Sequence, residues 1–539
     1  MVAVSCSESE SPSELIAPID VIGNKFFDSK TGNQFFIKGI AYQHSRSSNK
    51  HPTEFEMIPY WDSLTNASIC ERDVKYLKEI GINTIRVYQV DPLADHDQCM
   101  NIFLRNGIYV LADLSEPSLS INREFPAWDV DLIERYTSVV DSLHKYDNVL
   151  GFFAGNEVTN SNNSIGASPF VKAAIRDIKA YMKNKRYRKI PVGYAASDNA
   201  DIRHVLSSYF ICDREEDRTD FFGINMYEWC GYSSYPTSGY RERTEEYKNF
   251  PVPIFFSEYG CNVAKPRPFT EVESLYGQQM AKVWSGGIAY QYFQEEEHDG
   301  LVKENSDGSL TILDDFYNFK NRLNSISVQG IHKNDYDIAF LNSSYDEREN
   351  HWYASNSLPE KPDSSKCECL QSTLSCILTP YMEVHETSIL NELCSVIDCS
   401  DIEADGLKGK YGRFSDCSIK QKISYALNKH YLTNDRRRAS CEMSGRGILV
   451  TNSGEIDLAS IYAGDGRTCQ EAIGDAMNYE KEKHNQRIKN YLKPIQYIVP
   501  KSNFHSWARK NVAQSGAPLT SFPHLNNLWL FMGILFVVM

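Results

Sequence analysis

Two glutamates stand directly beyond apolar runs: Glu157 in VLGFFAGNEV (149–158) and Glu258 in VPIFFSEYG (252–260). A strand delivers its last side chain with little freedom, so two strand-end carboxyls on one scaffold can face each other across a cleft. Glycoside cleavage needs such a pair. One carboxyl gives a proton to the leaving oxygen, while the other, ionised, faces the anomeric carbon. A retaining enzyme requires the two groups ~5–5.5 Å apart. Each glutamate also has a plainer explanation. Glu157 is then an exposed loop residue, and Glu258 the ion-pair partner of a nearby arginine.

Two carboxyls held this way call for a scaffold of parallel strands. From about residue 20 to 325 the chain alternates short apolar runs with amphipathic ones, the apolar runs being FFIKGI, INTIRVYQV, IYVLAD, VLGFFAG, IPVGYA, FFGINM, VPIFF and GIAYQY. Most are continuously apolar, as strands buried on both faces are. Between them, Leu132, Tyr136, Val139 and Leu143, and then Val171, Ile175, Ile178 and Met182, recur at helical spacing. Eight strands with intervening helices predict an α/β fold, a (β/α)8 TIM barrel; a doubly wound sheet is the alternative. A barrel places functional residues at the C-terminal ends of its strands. Glu157 follows the fourth run and Glu258 the seventh.

The segments FFIKGIAYQ (35–43), IRVYQVDP (85–92), FFAGNEVTN (152–160), FFGINMYEWCGY (221–232) and FFSEYGCN (255–262) resemble the fungal Gas/Gel/Phr β-1,3-glucanosyltransferases, glycoside hydrolase family 72. The resemblance runs over most of the chain. It implies Glu157 as acid/base and Glu258 as nucleophile, the strand-four and strand-seven pattern of the larger glycosidase clan. It further implies that Arg86 keeps Glu258 ionised, that Tyr227 donates a hydrogen bond to it, and that Asn156 binds the sugar 2-hydroxyl. Gln43, Tyr88, Asp198 and Tyr290 match glucan-contacting positions. A tyrosine suits that task because its ring stacks on a sugar's C–H face while the hydroxyl reaches a polar edge; for each tyrosine alone, core packing is the commoner explanation. The implied reaction is internal cleavage of a β-1,3-glucan and transfer of the new reducing end to the non-reducing end of another glucan. No cofactor is implied. A retaining endo-β-1,3-glucanase with the same residues, and a non-catalytic glucan-binding wall protein, are the alternatives.

A net charge of −15 argues against a nucleic-acid partner, whose phosphates require a basic face. A neutral polysaccharide has no such requirement. The 13 histidines form no HExxH or similarly spaced pair, which gives a metal site no support. Fourteen cysteines, eight of them between Cys367 and Cys469, fit an oxidising compartment. Sequons at Asn66, Asn162 and Asn342 agree with secretion. The segment 1–19 has no basic flank and no apolar core of signal-peptide kind, so a truncated start is expected.

Beyond the barrel, 20–325, the expected organisation is a linker (326–366), a cysteine-rich module (367–473), a polar linker (474–514) and a tail (515–539). The module resembles the X8 or Cys-box domain, carbohydrate-binding family 43, and serves either sugar binding or stapling alone. The final LWLFMGILFVVM (528–539) is too short to span a bilayer. With small residues from Ser515 and a ten-residue spacer before it, this tail matches a GPI-attachment signal with Ser515 as the site. That arrangement implies a chain held at the outer face of the plasma membrane and in the cell wall; a monomer is expected. The family pattern suggests the disulfides Cys70–Cys99, Cys230–Cys261, Cys367–Cys417, Cys369–Cys469, Cys376–Cys441 and Cys394–Cys399. Cys212 matches a position usually paired with a linker cysteine, yet residues 262–366 hold none. It is then free or paired with Cys6, and the two domains are expected to be joined less rigidly.

Overall fold

The computed structural model describes residues 16–44, 61–337, 354–380, 386–450 and 458–473. Cys6, Asn342, the 474–514 linker and the tail with Ser515 lie outside them. Eight strands close into a barrel: β1 (Ile37–Ala41), β2 (Thr84–Val87), β3 (Tyr109–Asp113), β4 (Val149–Asn156), β5 (Val192–Ser197), β6 (Phe221–Met226), β7 (Ile254–Tyr259) and β8 (Trp284–Ala289). Every neighbouring pair is parallel, and β8 returns to β1. A helix follows each strand: α1 (Ala67–Ile80), α2 (Asp97–Arg105), α3 (Val130–Leu143), α4 (Ser168–Lys185), α5 (Arg203–Ile211), α6 (Tyr240–Glu246), α7 (Glu271–Leu275) and α8 (Asp314–Ser325).

All residues of β2, β3, β6, β7 and β8 are buried, which accounts for their largely apolar sequence. The stripe Leu132, Tyr136, Val139 and Leu143 on α3 is buried against the barrel, as is Val171, Ile175, Ile178 and Met182 on α4. Inside the barrel Ile37, Leu111, Phe153, Phe221, Phe255 and Ile288 form a second cluster. The antiparallel strands Ile19–Ile22 and Lys25–Asp28 close its N-terminal mouth, where the Phe26 ring lies 6.3 Å from that of Phe221 and 6.1 Å from that of Phe255. Gly193 on β5 is required here, because a Cβ would meet the Phe221 ring at 2.2 Å. With this end plugged, the C-terminal end is left for chemistry.

Among the strand limits that differ from the sequence expectation, two decide where site tyrosines stand. The run INTIRVYQV stops pairing at Val87, because the side-chain carbonyl of Gln43 accepts from the amides of Tyr88 and Gln89 and draws the backbone off the ladder. The eighth strand begins at Trp284, not at Gly287, and ends at Ala289. Its Gly286 and Gly287 hide a strand from a propensity reading. Gly286 has φ 97°, and a Cβ there would meet the Ile37 carbonyl oxygen at 2.1 Å. Tyr88 and Tyr290 therefore start loops.

The C-terminal module packs α9 (Ser364–Thr373), α10 (Glu386–Cys394), α11 (Ile419–Thr433), α12 (Arg438–Glu442) and α13 (Cys469–Ile473) around its own apolar core. Cys367–Cys417, Cys369–Cys469, Cys376–Cys441 and Cys394–Cys399 are bonded in it. The barrel carries Cys70–Cys99 and Cys230–Cys261. Cys212 has a free thiol. In place of a cross-link from it, the module and the segment leading into it dock on the barrel by ordinary contacts. The Val130 amide donates to Asp416 O at 3.0 Å, Arg176 Nη2 to Pro359 O at 2.8 Å, and the Phe170 and Tyr411 rings meet edge-on.

Candidate active site

Glu157 is the first residue past β4, and Glu258 lies next to last in β7. Glu157 adopts φ 50°, a left-handed conformation that costs a non-glycine residue ~1–3 kcal/mol. Two backbone bonds fix it there: its amide donates to Ala195 O at 2.8 Å, and Arg123 Nη2 donates to its carbonyl at 2.7 Å.

The two carboxyls have unequal surroundings. Glu258 is 2% exposed and accepts from Tyr88 Oη at 2.9 Å and Arg86 Nη1 at 3.3 Å on Oε1, and from Tyr227 Oη at 2.9 Å on Oε2. Half-buried Glu157 accepts from Asn225 Nδ2 at 2.8 Å, with no other side-chain hydrogen-bond donor among the described residues. Burial raises the Glu157 carboxyl above its ordinary range, opposed by the Asn225 bond and by the charges of Arg123 and Arg86. Burial also pushes Glu258 up to about 7; Arg86 opposes this, the Glu157 charge adds to it, and the two tyrosine hydroxyls oppose it. One proton on the pair satisfies both. When the pair holds a single proton, the three donors favour the negative charge on Glu258 and the proton on Glu157.

Arg86 ties the halves together. Its Nε and Nη2 each donate to Asp113 at 3.0 Å, and Nη2 also donates to Asn156 Oδ1 at 3.2 Å. Asn225 Nδ2 reaches that same Oδ1 at 3.2 Å, and its own Oδ1 accepts from Ser257 Oγ at 2.8 Å. Asn156 thus engages its oxygen and keeps its Nδ2 hydrogens for another acceptor.

The other expected residues fall into distinct places. Tyr88 directs its hydroxyl to Glu258, beside Tyr227. Gln43 donates from Nε2 to Trp61 O at 3.0 Å, so its amide braces the β1 and β2 loops from both ends. The Tyr290 ring meets that of Tyr88 edge-on at 6.4 Å. Asp198, just past β5, pairs with Arg203 at 3.1 Å. Asp113, Asn225, Arg123 and Ser257 were missed. A signal existed for two of them: Asp113 ends β3 and Asn225 lies one residue from the end of β6, polar residues closing apolar strands as both glutamates do.

A family model described as glucanosyltransferase matches residues 8–327. The chain belongs to that family, glycoside hydrolase family 72. An X8 domain model matches residues 374–448. Among relatives of this family-72 chain, 1,3-beta-glucanosyltransferase PGA5 of Candida albicans is 48% identical, over 87% of this chain and 76% of the relative. The 1,3-beta-glucanosyltransferase GAS2 of Saccharomyces cerevisiae is 49% identical, over 80% and 79%. The structure of a Saccharomyces cerevisiae Gas2p mutant without ligand superposes with TM-score 0.79 at 46% identity, covering 88% of this chain and 99% of that one. Gas2p in complex with laminaripentaose superposes at 0.74 with 49% identity, over 80% and 97%.

Proposed function

We propose that this chain is a β-1,3-glucanosyltransferase acting with retention. Ionised Glu258 attacks the anomeric carbon within a β-1,3-glucan, and the bond from that carbon to the leaving O3 breaks. Glu157 supplies the proton that O3 takes. The 3-hydroxyl at the non-reducing end of a second glucan then gives its proton to Glu157 and attacks the same carbon, displacing Glu258. Arg86, Tyr227 and Tyr88 stabilise the charge on Glu258 before attack. Asn156 donates to the sugar 2-hydroxyl oxygen, a contact that strengthens in the transition state. Asp198 and Tyr290 contact the glucan. The observation that carries this reading is the asymmetry of donors, three on Glu258 against one on Glu157.

Incubation with a reduced laminari-oligosaccharide tests it: products longer than the starting sugar mean transfer. Shorter products alone would make the protein an endo-β-1,3-glucanase. We further propose a catalytic domain over 20–325, linkers at 326–366 and 474–514, an X8 module over 367–473, and a GPI signal over 515–539 attached at Ser515. The enzyme then works as a monomer at the outer face of the plasma membrane and in the fungal wall. Removing 528–539 from a secreted form should release it into the medium.

A further inference from the structure

Beside the site lies a second acid pair. Asp198 follows β5 and Glu228 follows Tyr227 after β6; the pairing of Ser197 with Asn225 brings these two strand ends together. The side chains of Asp198 and Glu228 are within hydrogen-bonding reach of each other. Glu228 Oε2 is buried with no donor among the described residues, and its carboxyl is pressed against Gly239, where an added Cβ would lie 2.2 Å from it. Arg203 from α5 donates to Asp198 at 3.1 Å and to Glu246 at 3.4 Å, and Arg243 from α6 pairs with Glu246 at 3.3 Å. Tyr240 and Tyr247 also face the group; burial first of all, and then the neighbouring carboxylates, keeps their hydroxyls protonated. The cluster holds three carboxyls against two guanidiniums. Two ionised carboxylates in contact are both acceptors and repel; one proton between them supplies the missing donor and leaves the cluster neutral.

We infer that Glu228 is a positioning residue that accepts a hydrogen bond from protonated Asp198, fixes the Asp198 carboxyl for contact with a glucan hydroxyl, and makes that contact fail when the proton is lost at alkaline pH. The inference rests on the glucan reading above. Burial, reinforced by the Glu228 charge and opposed by Arg203, lifts Asp198 to about 8, which sets the pH range.

The test uses the Glu157→Gln enzyme, in which turnover is blocked, and laminaripentaose binding followed by calorimetry across pH 6 to 10. Its Kd should rise about fivefold between pH 8 and pH 9, as the protonated pair is depleted. In Glu157→Gln/Glu228→Gln the amide donates without titrating, and that alkaline rise should vanish. Glu258 titrates equally in both and cancels. An identical alkaline rise in the two proteins overturns the inference. If neither binds at any pH, the glucan reading falls, and melting curves decide the proton sharing separately. A carboxyl raised in the folded state loses stability as pH climbs from its ordinary range to about 8. The melting temperature of Glu228→Gln should therefore gain on the parent over that window and level off above it. A flat difference overturns the shared proton. If Glu228→Gln does not fold, Asp198→Asn gives the melting readout from the other carboxyl, and a flat difference from the parent overturns the inference.

Discussion

The guanidinium of Arg86 is gripped by Asp113 on two nitrogens, each at 3.0 Å, before it reaches Glu258 with a third at 3.3 Å. Both Arg86 and Asp113 are buried, on adjacent strands β2 and β3. The fork orients the side chain, so Arg86 meets the proposed nucleophile at a fixed place. Replacing Asp113 by alanine leaves the arginine with one anion, Glu258 at 3.3 Å. The expected cost is about 3 kcal/mol of stability, read from urea unfolding, together with a fall in transfer rate. A loss below 1 kcal/mol would mean that Glu258 alone neutralises Arg86.

Tyr88 and Tyr227 donate to different oxygens of one carboxylate. Tyr88→Phe and Tyr227→Phe should therefore act alike, each removing a charge-assisted bond of roughly 1.5–3 kcal/mol and slowing kcat about ten- to a hundredfold. With one donor gone, Glu258 holds its proton more tightly, and the acid limb of activity moves to higher pH. A raised KM with unchanged kcat in Tyr88→Phe would make that residue a sugar platform.

Glu258 should be a burden on stability. Its carboxyl rises from 4.5 to about 7 on folding, chiefly through burial. Between those values the folded state keeps a proton that the unfolded chain has released, so the parent loses stability as pH rises through the window and is level above it. At ~1.4 kcal/mol per tenfold in proton affinity, the penalty at neutral pH is ~3 kcal/mol. Glu258→Gln avoids it. The melting temperature of that inactive variant should climb relative to the parent from about pH 4.5 to 7, and a constant difference would place the titration elsewhere.

Much of this arrangement was legible before any coordinates. Continuous apolar runs, with the helical stripes of α3 and α4 between them, marked the barrel, because its strands are buried on both sides. Glu157 and Glu258 stood out as carboxyls where apolar strands end. Asp113 and Asn225 carry the same signature yet went unread, since their partners, Arg86 and Glu157, are set by barrel closure and not by sequence spacing. The hydrogen bonds of Gln43 and Tyr88, which match glucan-contacting positions of the family, were not legible for a related reason. Which way a loop-start side chain turns depends on a neighbouring strand: the Gln43 amide is engaged by the backbone at Trp61, Tyr88 and Gln89, and the Tyr88 hydroxyl by Glu258. Asp198 and Glu228 pair only because β5 and β6 end side by side.

Reduction should damage the module before the barrel. Four disulfides link Cys367 through Cys469, and the bond between Cys369 and Cys469 spans a sequence separation of 100. By chain entropy each is worth about 2–5 kcal/mol, much of what a small domain has in total. The barrel, with its larger continuous core and two disulfides, relies on them less. Contacts at Val130, Phe170 and Arg176 join the two units without a cross-link, so loss of the module exposes part of α3 and α4 but leaves the strands intact. Under mild reductant, calorimetry should show a low-temperature transition splitting from the main one, with oligosaccharide cleavage persisting after the first. A single transition that takes activity with it would mean that module and barrel fold as one unit.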